Sequence, residues 1–420
     1  MHNTTEEMQV CFVTTTQYQF MIADIYSRYV YDMYGIKPVV LIRKFRSFDI
    51  SKFSADNKYM LVPYTINNRN IFGQCVFAFK CGYLFKLTSW SKILNKDKRI
   101  LLFVFNDLSK LTDRLMSETK KLNKQNKIVL IEEGNNTYSD IPENPPELLW
   151  KFKHMLSRLF LGMGRSSAVI GESQNIEAAI VKDTNRYQML KKAENQEIIQ
   201  QNRSILQNSN EFLEHYSNAC NEKTECDVLF LGQPFYKNGK YYTEENNCIS
   251  AIIDSFSLNT KILIKPHPRD CADKYDSIQK SHSNVSVIKE DMAVFPIEAL
   301  IGLINIKAVV TIESSAAVTV ADLDSSVDAI VLINTPEAKK LLGKLKLIGE
   351  ELPALDENSF VGKNNNVYLA SNLAECKEIV AKHKYEKKNE GIDDKKKHSI
   401  PINKFEEMDV FFNTEIGKTQ

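Results

Sequence analysis

The chain has 420 residues, enough for two domains of ordinary size. Its 54 basic and 53 acidic side chains nearly cancel, which excludes the strongly basic field expected of a nucleic-acid-binding protein. Hydrophobic residues make up 43% of the sequence, as in a water-soluble globular protein, and no apolar run is long enough to span a bilayer.

The eight cysteines form no CxxC pair and have no metal-ligand spacing. Cysteines scattered in this way indicate a reducing compartment. The polar segment from Met1 to Val10 lacks the pattern of a signal peptide. We therefore expect a cytoplasmic protein, either free or peripheral at the inner face of the plasma membrane.

Short apolar runs recur along the chain with polar or helical stretches between them, the pattern of strands that alternate with helices. Because the runs lack polar alternation, they suit parallel strands that are covered on both faces. The sequence thus predicts a doubly wound α/β protein. In chain order the predicted strands are Val10–Thr14, Val39–Ile42, Tyr59–Val62, Ile100–Phe105, Ile128–Ile131, Val228–Leu231, Ile262–Ile264, Val309–Ile312 and Ala329–Ile333.

A polar segment separates the two groups of strands. Residues 172–225 are rich in Gln, Asn, Glu and Lys, and their sparse apolar residues predict helices followed by a linker. We therefore expect one domain over residues 1–225 and a second over residues 226–376. Residues 377–420 are expected to form a lysine-rich, solvated tail whose last amphipathic segment, Phe405–Phe412, packs back on the body.

An acidic pair follows the predicted strand Ile128–Ile131. In an extended chain neighbouring side chains point to opposite sides, so only one of the two carboxylates is expected to face a ligand. A carboxylate among apolar or acidic neighbours has a raised pKa and can serve as a general base. Alone, the motif is also typical of an ordinary acidic turn. Its members are Glu132, Glu133, Gly134, Asn135 and Tyr138.

A histidine stands between two prolines directly after the strand Ile262–Ile264. Pro266 and Pro268 bias the residue before each of them toward extended geometry, so His267 is held out of a helix. Ligands of open parallel sheets bind at the carboxyl ends of the strands. The sequence therefore predicts an imidazole that a stiff loop presents to a ligand.

Two serines, Ser314 and Ser315, join the strand Val309–Ile312 to a helix-forming run. A capping serine and the amino end of a helix both attract anions, so the pair predicts a phosphate site, although capping alone explains one serine.

Glu298, at a predicted helix start, is a candidate ligand of ribose hydroxyls or simply a favourable helix residue. A turn after Val228–Leu231 is a candidate lining of a nucleotide or acceptor pocket, or equally a plain turn after a strand, and it comprises Gly232, Gln233 and Pro234.

Other signatures are missing from the sequence. It has no GxGxxG, P-loop or HExxH motif, and the DxD formed by Asp322 and Asp324 lies at a predicted helix end, where we interpret it as surface. The segment Trp150–Arg165 mixes a basic and an apolar face. That pattern favours a packed helix over one that rests on an anionic membrane surface.

In their order and spacing, the acidic-acidic-Gly, Lys-Pro-His-Pro, Pro-x-Glu and Ser-Ser motifs resemble those of the bacterial sialyltransferases, in particular the capsule polysialyltransferase and lipooligosaccharide sialyltransferase groups. The likeness runs from about Ile128 to Val320. The pair Glu132 and Glu133, followed by Gly134 and Tyr138, looks more like the polysialyltransferase form than the Asp-Asp-Gly of other branches.

This resemblance implies a GT-B architecture, two Rossmann-like domains that face a central cleft, with the acceptor in the amino-terminal half and CMP-sialic acid in the carboxyl-terminal half. Glu133 matches the general base, and His267 matches the histidine that stabilises or protonates the departing CMP phosphate. Ser314 and Ser315 match a phosphate-binding pair, and Glu298 matches a carboxylate that binds the cytidine ribose. The further expected contacts are Gly232, Gln233, Pro234 and Pro268 to the donor, and Glu132, Gly134, Asn135 and Tyr138 to the acceptor. Independently of the resemblance, the charges of Lys265 and Arg269 make them candidate partners of the donor's phosphate or sialate carboxylate.

The implied reaction is an inverting transfer of sialic acid to a hydroxyl of a capsule or lipooligosaccharide glycan, and the expected acceptor is an oligosaccharide or a lipid-linked glycan. No metal or other cofactor is expected, because a histidine and a helix amino end can stabilise a departing phosphate. Two alternatives stay open. In the first, the chain is another GT-B transferase that uses a different nucleotide sugar or a CDP-polyol to build surface polymers. In the second, it is a non-catalytic protein that binds a glycan or a partner enzyme.

Overall fold

The structure is a computed structural model of the chain. It describes residues 8–43, 60–62, 93–138, 169–191, 195–202, 224–235, 242–268, 270, 273–347, 360, 365–386 and 405–416. The chain divides into two compact units: unit 1 comprises Met1–Asn208 and Ile400–Gln420, and unit 2 comprises Ser209–Ser399.

The strands and helices alternate along most of the chain. The strands are β1 (Met8–Thr14), β2 (Val39–Arg43), β3 (Met60–Val62), β4 (Arg99–Val104), β5 (Lys127–Ile131), β6 (Ala178–Val181), β7 (Glu197–Gln200), β8 (Thr224–Glu225), β9 (Val228–Leu231), β10 (Ile262–Lys265), β11 (Val285–Val287), β12 (Ile304–Asn305), β13 (Ala308–Thr311), β14 (Asp328–Val331) and β15 (Val367–Leu369). The helices are α1 (Gln17–Tyr34), α2 (Lys110–Leu122), α3 (Thr184–Leu190), α4 (Tyr242–Asp254), α5 (Asp276–Ser281), α6 (Glu290–Ala293), α7 (Ile297–Leu300), α8 (Ser315–Leu323), α9 (Pro336–Leu347), α10 (Leu373–Glu386) and α11 (Glu406–Ile416). Single turns of 3-10 helix cover Asn135–Tyr138 and Ile301–Leu303.

Unit 1 is built on a seven-stranded sheet of order β3-β2-β1-β4-β5-β6-β7, in which all neighbouring strands pair in parallel. The central strands are largely apolar and are buried except for the first one or two residues of β1, β4 and β5, as is typical of a parallel sheet that is covered on both faces. The helix α1 starts at Thr16, whose side chain accepts a hydrogen bond from the Gln19 amide, and ends at Gly35, whose φ of 66° suits glycine.

The carboxyl-terminal helix α11 belongs to unit 1 and packs on α1. The rings of Tyr26 and Tyr29 contact Phe405 edge to face at centroid distances of 5.6 and 5.0 Å. The Tyr26 hydroxyl donates a hydrogen bond to the buried Glu407 carboxylate at 3.0 Å. Aromatic packing and buried hydrogen bonds therefore hold the end of the chain against the first helix.

Unit 2 contains a six-stranded sheet of order β11-β10-β9-β13-β14-β15, again with parallel pairing throughout, and a short parallel pair of β12 with β8. Its core packs the sheet against α4, α5, α9 and α10 through residues such as Ile249, Ile278, Leu341 and Cys376. The sheet order changes direction between β9 and β13, and in open α/β sheets such a switch point is where ligands bind.

All of the predicted strands are present, with ends that differ by no more than two residues. The interpretation of residues 172–225 as helices followed by a linker is wrong for the described part, which contains β6 and β7 on either side of α3. The alanines of β6 carry little strand preference, and β7 is an edge strand whose polar ends break the apolar pattern. The predicted helix Trp150–Arg165 lies outside the described residues.

Candidate active site

Three loops of unit 2 leave the sheet at the same edge. Leu231 of β9 pairs in register with Lys265 of β10 on one side and with Thr311 of β13 on the other. The loops that follow these strands therefore start side by side at the switch point. They carry Gly232, Gln233 and Pro234, then His267 and Pro268, then Ser314 and Ser315.

Gly232 is required by a close approach. Its amide donates to the Lys265 carbonyl at 3.0 Å, and a Cβ at this position would lie 2.1 Å from the Tyr275 hydroxyl. Gln233 and Pro234 are half-buried next to it. A residue without a side chain thus lets the first loop pack directly on the second.

The His267 loop closes as a short turn on Asp270. The Asp270 amide donates to the His267 carbonyl at 2.8 Å, and the Asp270 carboxylate accepts the His267 amide at 2.9 Å. The histidine itself is half-buried, as is Pro268. Its backbone is fixed on both sides, while part of the residue stays accessible to solvent. Arg269 lies outside the described residues.

Lys265 does not have the exposed position expected of a phosphate ligand. It is 6% exposed, and its Nζ donates to the carbonyl oxygens of Ala293 at 3.1 Å and Pro266 at 3.3 Å. Burial lowers the pKa of Lys265 to about 8, although the charges of Glu298 and Asp270 oppose the shift. Lys265 therefore connects the histidine loop to the segment that leads into α7, on which the buried Glu298 lies.

Ser314 caps α8, as the sequence predicts for one of the two serines. Its side chain accepts the Ala316 amide at 3.4 Å, and its own amide donates to the Thr311 hydroxyl at 3.0 Å. Ser314 and Ser315 are half-buried, and the first turn of α8 contains no acidic residue. The amino end of this helix is therefore electrostatically suited to an anion.

Glu313, directly before the serines, is a buried carboxyl group that the sequence analysis did not use. It is 4% exposed, and burial raises its pKa to about 7. At neutral pH a large fraction of this side chain carries its proton. A neutral carboxyl group next to the helix does not repel an anion there.

In unit 1 the acidic pair divides between two environments at the carboxyl end of β5. Glu132 is 3% exposed and accepts hydrogen bonds from the Tyr138 hydroxyl and, at 2.6 Å, from the Lys182 amide. The Lys182 ammonium lies 3.5 Å from the other carboxylate oxygen of Glu132. Glu132 and Tyr138 were expected to contact the acceptor. In the structure their polar groups bond to each other and to the start of α3.

Glu133 is half-buried and lies on the turn that the buried contact between Glu132 and Tyr138 supports. Its amide donates to the Thr137 hydroxyl at 3.1 Å, and the Thr137 amide donates to the Gly134 carbonyl at 2.9 Å. Gly134 has a φ of 138°, which favours glycine. The backbone of Asn135 lies in the following 3-10 turn, and its side chain is outside the described part. Of the two carboxylates, Glu133 is the one left at the surface of the turn.

A group of buried polar residues beneath the histidine loop escaped the sequence analysis. They are Glu245, Asp270, Lys274 and Tyr275. The one local signal was an aspartate three residues after a histidine, which is typical of a side-chain-closed turn. The described residues contain no group of three or more His, Cys, Asp or Glu side chains suited to a metal ion. Within those same ranges, no helix is both long and apolar enough to cross a membrane.

Comparisons with known proteins complete the description of the site. A family model described as Alpha-2,8-polysialyltransferase (POLYST) matches residues 83–332. The UDP-GlcNAc 2-epimerase of Methanocaldococcus jannaschii, solved with UDP-GlcNAc and UDP, is similar with a TM-score of 0.51 and 13% identity, over 91% of this chain and 94% of that one. The wall teichoic acid polymerase TagF is similar with a TM-score of 0.50 and 10% identity, over 100% of this chain and 92% of that one. No curated protein sequence matches the chain.

The two structural likenesses establish the fold class, which is α/β of the GT-B type. The family match covers both the acidic turn after β5 and the three loops of unit 2, and it spans more than half of the sequence. The chain therefore belongs to the alpha-2,8-polysialyltransferase family and is a sialyltransferase with a GT-B fold.

Proposed function

We propose that the protein transfers sialic acid from CMP-sialic acid to a hydroxyl of a bacterial surface glycan, with inversion and without a metal ion. The observation that carries the proposal is the register of Leu231 with Lys265 and Thr311. This register starts the histidine loop and the serine pair, of which Ser314 caps α8, on either side of the loop after β9 at the switch point of unit 2. The combination is suited to a departing phosphate.

In the proposed reaction, the Glu133 carboxylate accepts the proton of the acceptor hydroxyl. The acceptor oxygen forms a bond to the anomeric carbon, and the bond from that carbon to the phosphate oxygen of CMP breaks. Negative charge develops on the phosphate as it leaves. His267, the Ser314 and Ser315 hydroxyls and the amides of α8 stabilise this charge.

The donor contacts follow from the same edge of unit 2. Gly232, Gln233 and Pro234 line the nucleotide beside the histidine loop, together with Pro268 and Arg269, and Glu298 accepts hydrogen bonds from the ribose. Lys265 contributes by fixing the segment before α7, since its ammonium is engaged by backbone carbonyl oxygens. Glu132, Gly134, Asn135 and Tyr138 shape the acceptor side around Glu133.

The family name supplies the first acceptors to test, which are oligomers of α2,8-linked sialic acid. The alternative donor class has support from the likeness to TagF, a polymerase whose structure was solved after a soak with CDPG. A CDP-linked polyol therefore remains the second candidate donor.

The test is thermal unfolding of the protein with millimolar CMP, CDP, UDP or GDP in EDTA. A ligand at a hundred times its dissociation constant stabilises the folded state by roughly 2.7 kcal/mol, a shift that is easily measured. We expect stabilisation by CMP that EDTA does not remove. Stabilisation by CDP or UDP alone would move the donor to the second class. No shift with any nucleotide would favour a non-catalytic, glycan-binding protein.

A further inference from the structure

Lys274 lies at the centre of a buried cluster below the candidate donor site. Its side chain is 0% exposed, and its Nζ donates to the Gln233 carbonyl at 2.7 Å, to Glu245 Oε1 at 2.6 Å and to Asp270 Oδ1 at 2.9 Å. An ammonium group has three hydrogens, so these bonds use its full donor capacity. One cation thus joins the loop after β9, the helix α4 and the turn after β10.

Asp270 extends the cluster to the histidine. Its side chain is 3% exposed, and Oδ2 accepts both the His267 amide at 2.9 Å and the Tyr275 hydroxyl at 3.0 Å. The Tyr275 hydroxyl is also the atom that a side chain at Gly232 would meet. A continuous path of hydrogen bonds therefore runs from the Gln233 carbonyl through Lys274 and Asp270 to the His267 backbone.

Charges in this position cost solvation free energy that an apolar cluster of the same volume would avoid. Removing one partner from such a cluster leaves a buried charge unpaired, which strongly lowers the free energy of unfolding. The fully hydrogen-bonded cluster therefore holds its segments in a single arrangement. A site that must hold a leaving phosphate gains from such rigidity, because its ligands then need no reorganisation on binding.

We propose that Lys274 and Asp270 are positioning residues that tie the His267 turn to the Gly232–Pro234 loop and hold both as one preformed edge of the donor site. The assignment of that edge to the donor rests on the proposed function; the tie between the two loops does not. The two parts are separable by experiment.

The main variant is Asp270→Asn, which keeps the size of the side chain but replaces one acceptor oxygen with an amide group. The matched control is Lys307→Met. Lys307 forms an ion pair with Asp227, and these two residues precede β13 and β9 at the opposite edge of the same sheet. Tyr275→Phe is a second, milder variant, which removes one hydrogen bond to Asp270 and serves if Asp270→Asn does not fold.

Amide hydrogen exchange tests the tie in the ligand-free, full-length protein. We expect Asp270→Asn to speed exchange both around His267 and around Gly232, since the path between them is broken. The control Lys307→Met leaves exchange in both segments as in the wild type. Faster exchange around His267 alone, or equal changes in the control, would overturn the proposal.

Affinity for CMP, measured by calorimetry well below the unfolding temperature, tests the role of the tie in binding. We expect Asp270→Asn to raise the dissociation constant at least about tenfold, because the two loops must then be ordered when the nucleotide binds. Wild-type affinity in Asp270→Asn would contradict the positioning role. If the wild type binds another nucleotide instead of CMP, the proposed donor is wrong and the same comparison is made with that nucleotide. If the wild type binds no nucleotide, the hydrogen-exchange result alone decides whether Lys274 and Asp270 tie the two loops together.

Discussion

Tyr138 donates a hydrogen bond to the carboxylate of Glu132, and this buried contact supports the turn that carries Glu133. The same hydroxyl accepts the Asp183 amide at 2.8 Å, so one phenol connects the end of β5 to the start of α3. Burial and the charge of Glu132 raise the pKa of Tyr138, which keeps the hydroxyl protonated at every working pH. The acidic turn therefore has a buried carboxylate, Glu132, that helps to fix its shape, and a half-buried one, Glu133.

Replacing Tyr138 with Phe removes this connection without changing the ring. We expect the free energy of unfolding to fall by about 1–3 kcal/mol, because the buried Glu132 carboxylate loses a donor and the Asp183 amide loses an acceptor. Denaturant unfolding measures the change. The control is Tyr31→Phe on α1, where the side chain is 56% exposed. Equal stability of the two variants would contradict the structural role of Tyr138.

The substitution Glu133→Gln removes the proposed base but keeps the size of the side chain. Transfer to the acceptor is expected to fall on the order of 10²–10⁴-fold, the usual contribution of a general base. The affinity for CMP and the unfolding temperature should stay near those of the wild type. Glu197→Gln, on the edge strand β7, controls for the loss of a carboxylate in the same unit. Wild-type turnover in Glu133→Gln would remove this residue from the mechanism.

A methyl group at position 232 is predicted to separate the first two loops of unit 2. The new Cβ of Gly232→Ala would lie 2.1 Å from the Tyr275 hydroxyl and 3.2 Å from the Lys265 carbonyl. We expect a loss of about 1–3 kcal/mol in the free energy of unfolding, as for overpacking in a core, together with weaker nucleotide binding. Gly343→Ala is the control, because its new Cβ in α9 would meet no described atom within 4 Å apart from its chain neighbours and the backbone of its own helix. That variant should be stabilised, by up to about 1 kcal/mol.

Glu313 predicts a pH dependence of stability. Its folded-state pKa of about 7 exceeds the ordinary value of 4.5, so the folded protein keeps a proton that the unfolded chain releases. Stability from this group is fully present below about pH 4.5 and falls as the pH rises to about 7, by up to roughly 3 kcal/mol. The variant Glu313→Gln has no titrating group at this position, so its free energy of unfolding lacks this dependence on pH. Its stability relative to the wild type should increase between pH 5 and pH 8, as unfolding in denaturant at each pH measures. A difference that does not change with pH would contradict the assignment.

Most strands of the two sheet centres were predictable from the sequence, because a parallel sheet buried on both faces needs continuous apolar residues, as in β9 and β10. The strands β6, β7, β8, β11, β12 and β15 were missed, since they are short and contain alanine, polar residues or half-buried residues. These strands take their place in the sheets because they pair with neighbouring strands, and the local sequence pattern does not report that pairing.

The site was predictable only where its residues directly follow a strand. His267, Ser314 and Glu133 could be located by that rule. Lys274 could not, because its partners Gln233 and Glu245 are 41 and 29 residues away in the chain. Lys265 was predicted, from its charge and position, to bind the phosphate or the sialate carboxylate, and in the structure its ammonium donates to backbone carbonyl oxygens. The sequence pattern does not report these contacts.

The most direct test of the central claim is CMP release from CMP-sialic acid in EDTA, with and without an α2,8-linked oligosialic acid acceptor. The wild type is predicted to release CMP and to lengthen the acceptor, while His267→Ala, which lacks the group proposed to stabilise the leaving phosphate, is predicted to use the donor poorly. If the wild type releases no CMP from this donor yet turns over a CDP- or UDP-linked one, the protein is not the sialyltransferase proposed.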